Sequence, residues 1–138
     1  MAANLYARTY QTMEAESADP RHTLVLLYDG LVRYLYQARQ AMAQGQYETQ
    51  CDNTVRAQRI VSTLMSSLDR EVAPELAQTL WGMYNWMHGR LTEASIHDDV
   101  ELLGEILGVA QGLREAWRRA EKEVRQAEQA QTAPRQAA

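Results

Sequence analysis

Between Leu24 and Met42 apolar residues recur at three- and four-residue steps: Leu24, Leu27, Tyr28, Leu31, Leu35, Ala38 and Met42. The run passes straight through Asp29-Gly30, a pair that ordinarily marks a turn. That spacing puts the apolar side chains on one face of a single helix. A turn at Asp29-Gly30 would leave a hairpin of two short elements, whereas a helix through it makes one long rod. The rod is the better reading, because Asp19-Pro20 ahead of it is a strong helix start. The Asp carboxylate can accept first-turn N–H groups, and Pro in that turn gives up only an unpaired donor.

Three more helical patterns follow, and no stretch alternates as a strand. The first helix spans about 20–44 and stops near Gly45. The second spans about 46–70, with Ala57, Val61, Leu64 and Leu68 facing inward. The third spans about 74–96 behind Pro74, with Leu76, Leu80, Met83, Met87, Leu91 and Ala94 in register. The fourth begins at Asp98, with Glu101 three residues on as in a capping box, and turns Leu103, Ile106, Ala110, Leu113, Trp117, Ala120 and Val124 inward. Short links between long helices favour antiparallel neighbours. The expected fold is all-α, an antiparallel up-and-down four-helix bundle over residues 19–126. A lead-in segment, 1–18, precedes it, and a disordered Ala/Gln-rich tail, 127–138, follows.

Charge and composition narrow the function. The net charge is −4, with thirteen Arg and one Lys but no basic cluster, which argues against nucleic acid as a partner. No apolar run is long enough to insert in a membrane, the N-terminus lacks a signal-peptide layout, and the lone Cys51 fits a reducing compartment. The expected location is cytoplasmic.

Catalytic chemistry finds no footing. A di-iron bundle requires Glu-x-x-His pairs, and neither His22, His88 nor His97 has Glu three residues before it. There is no phosphate loop and no nucleophile elbow. No catalytic, metal or cofactor residues are expected. The apolar surface is more telling. Val25, Val32 and Tyr36 form a second shoulder on the first helix; Ala77, Trp81, Tyr84 and His88 do so on the third, with Trp86 off to the other side. Such breadth exceeds one core stripe and points to a protein-binding surface. On the fourth helix Gly104, Gly108 and Gly112 recur every four residues beside Leu107. Each costs about 1 kcal/mol against Ala, so the row wants either a closely packed helix or a groove for a bound segment.

A set of landmarks in order then resembles the FliS family of flagellin export chaperones. They are Leu5-Tyr6-Ala7-Arg8, Leu26-Leu27-Tyr28-Asp29-Gly30, Gly45-Gln46-Tyr47, Ser67-Leu68-Asp69-Arg70-Glu71, Met83-Tyr84-Asn85-Trp86-Met87 and Arg114-Glu115-Ala116-Trp117. The resemblance implies a non-enzymatic protein that binds the disordered C-terminal segment of flagellin, prevents early polymerisation and delivers it to the flagellar export gate. It implies no cofactor and leaves room for a weak homodimer. It also implies that the lead-in can lie over part of the client surface; Tyr6, which matches the family's N-terminal tyrosine, and Tyr10, which has no counterpart there, are this chain's candidate removable anchors. The reading from a different class is a helical regulatory or interaction module for another protein partner.

Overall fold

The computed structural model describes residues 20–132. Four helices make up the chain there: α1 (Pro20–Ala43), α2 (Tyr47–Ser66), α3 (Pro74–His97) and α4 (Val100–Thr132). They form a ring in which α1 packs broadly on α2 and α4, α2 packs on α3, and α3 touches α4 least. Residue pairings run in opposite directions along successive helices. Gln50 and Gln58 of α2 meet Ser95 and Thr92 of α3, while Asp29 and His22 of α1 meet Arg118 and Glu121 of α4. The fold is the expected up-and-down bundle. The lead-in 1–18, including Tyr6 and Tyr10, the Asp19 start and residues 133–138 lie outside the described residues.

Asp29-Gly30 lies inside α1. A Cβ on Gly30 would stand 3.2 Å from Ile60 Cδ1, so the glycine lets α1 and α2 come together. α1 ends in a Schellman motif: Gly45 has φ 71°, Gln46 N donates to Ala41 O at 2.8 Å, and Gly45 N donates to Met42 O. α2 stops at Ser66, short of the expected 70, because Asp69 folds the chain into a turn by accepting from Glu71 N at 2.9 Å.

The α3–α4 link differs from the expected capping box at Asp98. Asp98 instead closes α3 in the left-handed region at φ 49°, with Asp99 N donating back to Ala94 O. Asp99 is the cap of α4: its carboxylate accepts from Leu102 N at 3.0 Å, and its backbone O accepts from Leu103 N. One aspartate ends a helix and the next begins one. α4 then runs to Thr132, past the expected end near 126.

The core is built on Tyr28, Leu31, Leu35, Ile60, Val61, Leu64, Met87, Leu91, Leu103 and Ile106. In α3 the inward row is Ala77–Leu80–Tyr84–Met87–Leu91–Ala94. Leu76, expected inside, is 51% exposed, and Met83 is only partly buried. α2 also buries polar residues. Gln50 donates to Thr54 and Ser95 hydroxyls at 3.1 Å each, and Asn53 donates to Thr49 O at 2.9 Å. Partners of this kind are what make burying an amide tolerable.

Candidate functional site

The shoulders foreseen from the sequence divide into core and surface. Val32, Tyr84 and Leu107 are buried in the core cluster, and Val25 is buried at the edge of a cleft between α1 and α4. The cause is that α1 packs on two neighbours, so both its main stripe and its shoulder are needed to fill the core. Tyr84 reaches across to Tyr28 and the two hydroxyls hydrogen-bond in the interior. Burial, then Tyr84 itself, raises the Tyr28 pKa, against a hydrogen bond from Trp117; burial likewise raises that of Tyr84.

Tyr36 (52% exposed) and Trp81 (40% exposed) do face outward. They sit on α1 and α3, and Tyr36 is tied locally by Gln40 Nε2 donating to its hydroxyl at 2.7 Å. His88 is half-buried, and its backbone carbonyl accepts from Gln58 of α2. The glycine row also divides. The Arg39 guanidinium of α1 lies 3.1 Å from where a Gly104 Cβ would be, whereas Gly108 and Gly112 have nothing within 4 Å. On α3, Gly82 and Gly89 are equally open. Four helix-interior glycines on α3 and α4 are therefore unexplained by packing within the described residues. At about 1 kcal/mol each, they are a substantial concession in a small bundle.

The seams between helices differ in how they are tied. Along α1–α4, Arg118 Nη2 donates to Asp29 Oδ1 at 2.7 Å, with Arg114 at 4.0 Å, and His22 Nδ1 meets Glu121 Oε1 at 3.0 Å. Along α2–α3, Gln50 and Gln58 bridge to Ser95, Thr92 and His88. Along α1–α2, Tyr34 lies under the Arg33 and Arg56 guanidinia, 5.1 and 5.8 Å from its ring centre. Among the described residues no hydrogen bond or ion pair joins α3 to α4. That seam is apolar instead. Of the partly buried apolar residues that pack on the core, Trp86 lies on α3 and Leu102, Val109, Leu113 and Trp117 lie on α4, Trp117 toward Tyr28. Exposed Leu76 and half-buried Met83 extend the line on α3. The sequence signal for it was Trp86, standing apart from both stripes of α3.

Nothing else described is arranged for chemistry. A cleft of about 350 Å³ opens between Val25, Arg118, Glu121, Lys122 and Arg125. Its carboxylate, Glu121, is already engaged by His22 and by Arg125 at 2.7 Å. No group of His, Cys, Asp and Glu among the described residues could hold a metal ion, and no described helix is long and apolar enough to cross a membrane. What α3 and α4 offer is partly exposed apolar side chains beside open glycine backbone, a surface suited to another chain.

The sequence model of the family described as flagellar protein FliS matches residues 2–124. The chain belongs to the FliS family. A FliS-family relative, the flagellar secretion chaperone FliS of Bacillus subtilis strain 168, is 32% identical over 111 residues, covering 80% of this chain and 82% of its own. The flagellar secretion chaperone FliS of Salmonella typhimurium is 29% identical over 114 residues, covering 82% and 84%. A crystal structure of a bacterial flagellar chaperone has the same fold, with a TM-score of 0.71 at 16% identity over 85% of this chain and 98% of that one. The FliS match takes in all four helices and ends within α4, before residues 125–132.

Proposed function

We propose that this FliS-family chain is a cytoplasmic export chaperone that binds the disordered C-terminal segment of flagellin, keeps it from polymerising early and hands it to the flagellar type III export gate. The observation that carries the reading is the α3–α4 seam, apolar, partly exposed and without polar ties, on a bundle whose other seams are all laced. A segment that forms helices only in the filament exposes apolar stripes when free, and a shallow furrow between two helices is suited to such a stripe. A client of this kind is ordered on binding, so an extended set of shallow contacts suits it better than one deep pocket. The role is one of binding and release, with no reaction and no cofactor.

The lead-in 1–18 has a place in this reading as a removable cover, anchored through Tyr6 and Tyr10. Deleting it is expected to raise binding of an apolar fluorescent dye and to alter flagellin affinity; unchanged dye binding would remove the cover from the account.

Mixing the full chain with the C-terminal segment of its cognate flagellin tests the function itself. Circular dichroism is expected to show the segment gaining helix, and sedimentation a 1:1 complex. Absence of binding would leave an interaction module for some other protein.

A further inference from the structure

The outer face shared by α2 and α3 carries no Asp, Glu, Lys or Arg. On helical spacing it runs from Tyr47 to Met65 on α2 and from Trp81 to Ile96 on α3. Gln58 holds the two helices side by side there, donating to the Thr92 hydroxyl and to the His88 carbonyl. Charged residues make up 23% of the chain, yet here they stand only at the margins, as Glu48, Arg59 and Glu93, with Asp98 near Tyr47 at one end. The exposed apolar side chains collect on the same face. Tyr47, Val55, Trp81 and Ile96 lie on it, from 40% to 71% exposed. The α1–α4 side of the bundle is the reverse, crossed by the Arg118–Asp29 and His22–Glu121 pairs.

We propose that a second copy of this chain docks on the outer α2–α3 face, forming a weak two-fold dimer. Charge and area both favour this occupant. Each copy has a net charge of −4, so two copies repel unless they meet over a face without carboxylates. A two-fold pairing brings identical patches together, and an uncharged patch is complementary to itself. Each copy's exposed Val55, Trp81 and Ile96 then lose water against the other's. A strongly charged partner would find nothing on this face to steer or orient it. The face is about 30 Å long and about 20 Å wide, on the order of 600 Å² a side. Two such sides total about 1,200 Å², the lower edge of specific interfaces, which makes the dimer weak and dependent on concentration. The inference stands apart from the client-binding reading, because the face lies on the α2 side of α3 and leaves the α4 side uncovered.

The test is sedimentation of the full chain from micromolar to millimolar concentration, at low and at high salt. The wild-type protein is expected to pass reversibly from monomer to dimer. The dimer is expected to tighten as salt rises, because salt screens the repulsion between the copies and there is no ion pair to weaken. Val55→Glu and Ile96→Glu each put a carboxylate on the face and are expected to weaken pairing at least about tenfold. Leu76→Glu, the same kind of change at an exposed residue off the face, is expected to leave pairing unchanged. Circular dichroism melting accompanies each variant. Should a Glu variant melt early, the native chain gives an independent reading through Cys51, its lone thiol, half-buried on the face. Alkylation of Cys51 by iodoacetamide is expected to slow as protein concentration rises through the dimer range. A chain that stays monomeric throughout would overturn the proposal, and if Val55→Glu then weakens binding of a flagellin peptide, the occupant is the client. A dimer that dissociates with salt, or one lost in Leu76→Glu but kept in the other two, would overturn it as well. So would a Cys51 alkylation rate that stays constant while the dimer forms.

Discussion

Tyr28 of α1 and Tyr84 of α3 join hydroxyls across the diagonal of the bundle, with their rings tilted by 42° and 6.4 Å apart at the centroids. It is a polar bond between helices that are not ring neighbours, made where both side chains are fully buried. Tyr84→Phe leaves the Tyr28 hydroxyl without this partner and is expected to cost about 1–3 kcal/mol, whereas Phe at both positions removes donor and acceptor together and should cost less than the two single changes summed. Urea unfolding of the four proteins checks this, and additive costs would refute it.

The same pair sets an alkaline limit. Both pKa values are raised by burial, so above the ordinary tyrosine value of about 10 the unfolded chain releases protons that the folded chain retains. Stability is therefore unaffected by this pair below about pH 9 and falls as pH rises beyond 10, by up to about 1.4 kcal/mol per pH unit for each tyrosine. Urea midpoints between pH 8 and 11 should show the decline, and it should shrink when both residues are Phe.

The open glycines make a contrasting set. Gly82→Ala, Gly89→Ala, Gly108→Ala and Gly112→Ala each add a Cβ to open space and are expected to stabilise by about 0.5–1 kcal/mol. Gly30→Ala should gain less or lose, because Ile60 Cδ1 must give way. Thermal melting distinguishes them. Gly108→Leu should keep helicity and melting nearly intact while weakening flagellin binding; loss of fold would mark the glycine as a packing device.

At the α3–α4 link, Asp98→Gly is expected to stabilise modestly, since glycine holds a left-handed backbone without steric cost. Asp99→Ala should cost about 1 kcal/mol through loss of the cap on Leu102 N. Equal effects of the two substitutions in denaturant unfolding would contradict the division of labour between these neighbours.

Periodicity was sufficient to pass a helix through Asp29-Gly30 and to place the α1 core stripe. It failed where two neighbouring positions are both apolar. Leu76 against Ala77 and Met83 against Tyr84 fit one helical face nearly equally well, and only the partner helix decides. Here it is Tyr28, distant in sequence, that draws Tyr84 inward and leaves Leu76 in solvent. The Val25–Val32 shoulder is buried for a related reason. A helix with two broad neighbours buries a wider arc than a lone stripe suggests, and nothing local in the sequence reports how many neighbours a helix has. The α3–α4 seam was harder still, because what distinguishes it is the lack of polar ties between two helices.

Asp98 and Asp99 are the whole of the link between α3 and α4. At that end their separation is set by two residues of chain. At the other, beside Pro74, α3 is about 36 Å from the pivot at 1.5 Å per residue, and each 5° of opening there moves it by about 3 Å. Any change of angle between the two helices is therefore smallest at the Asp98–Asp99 link and largest beside Pro74.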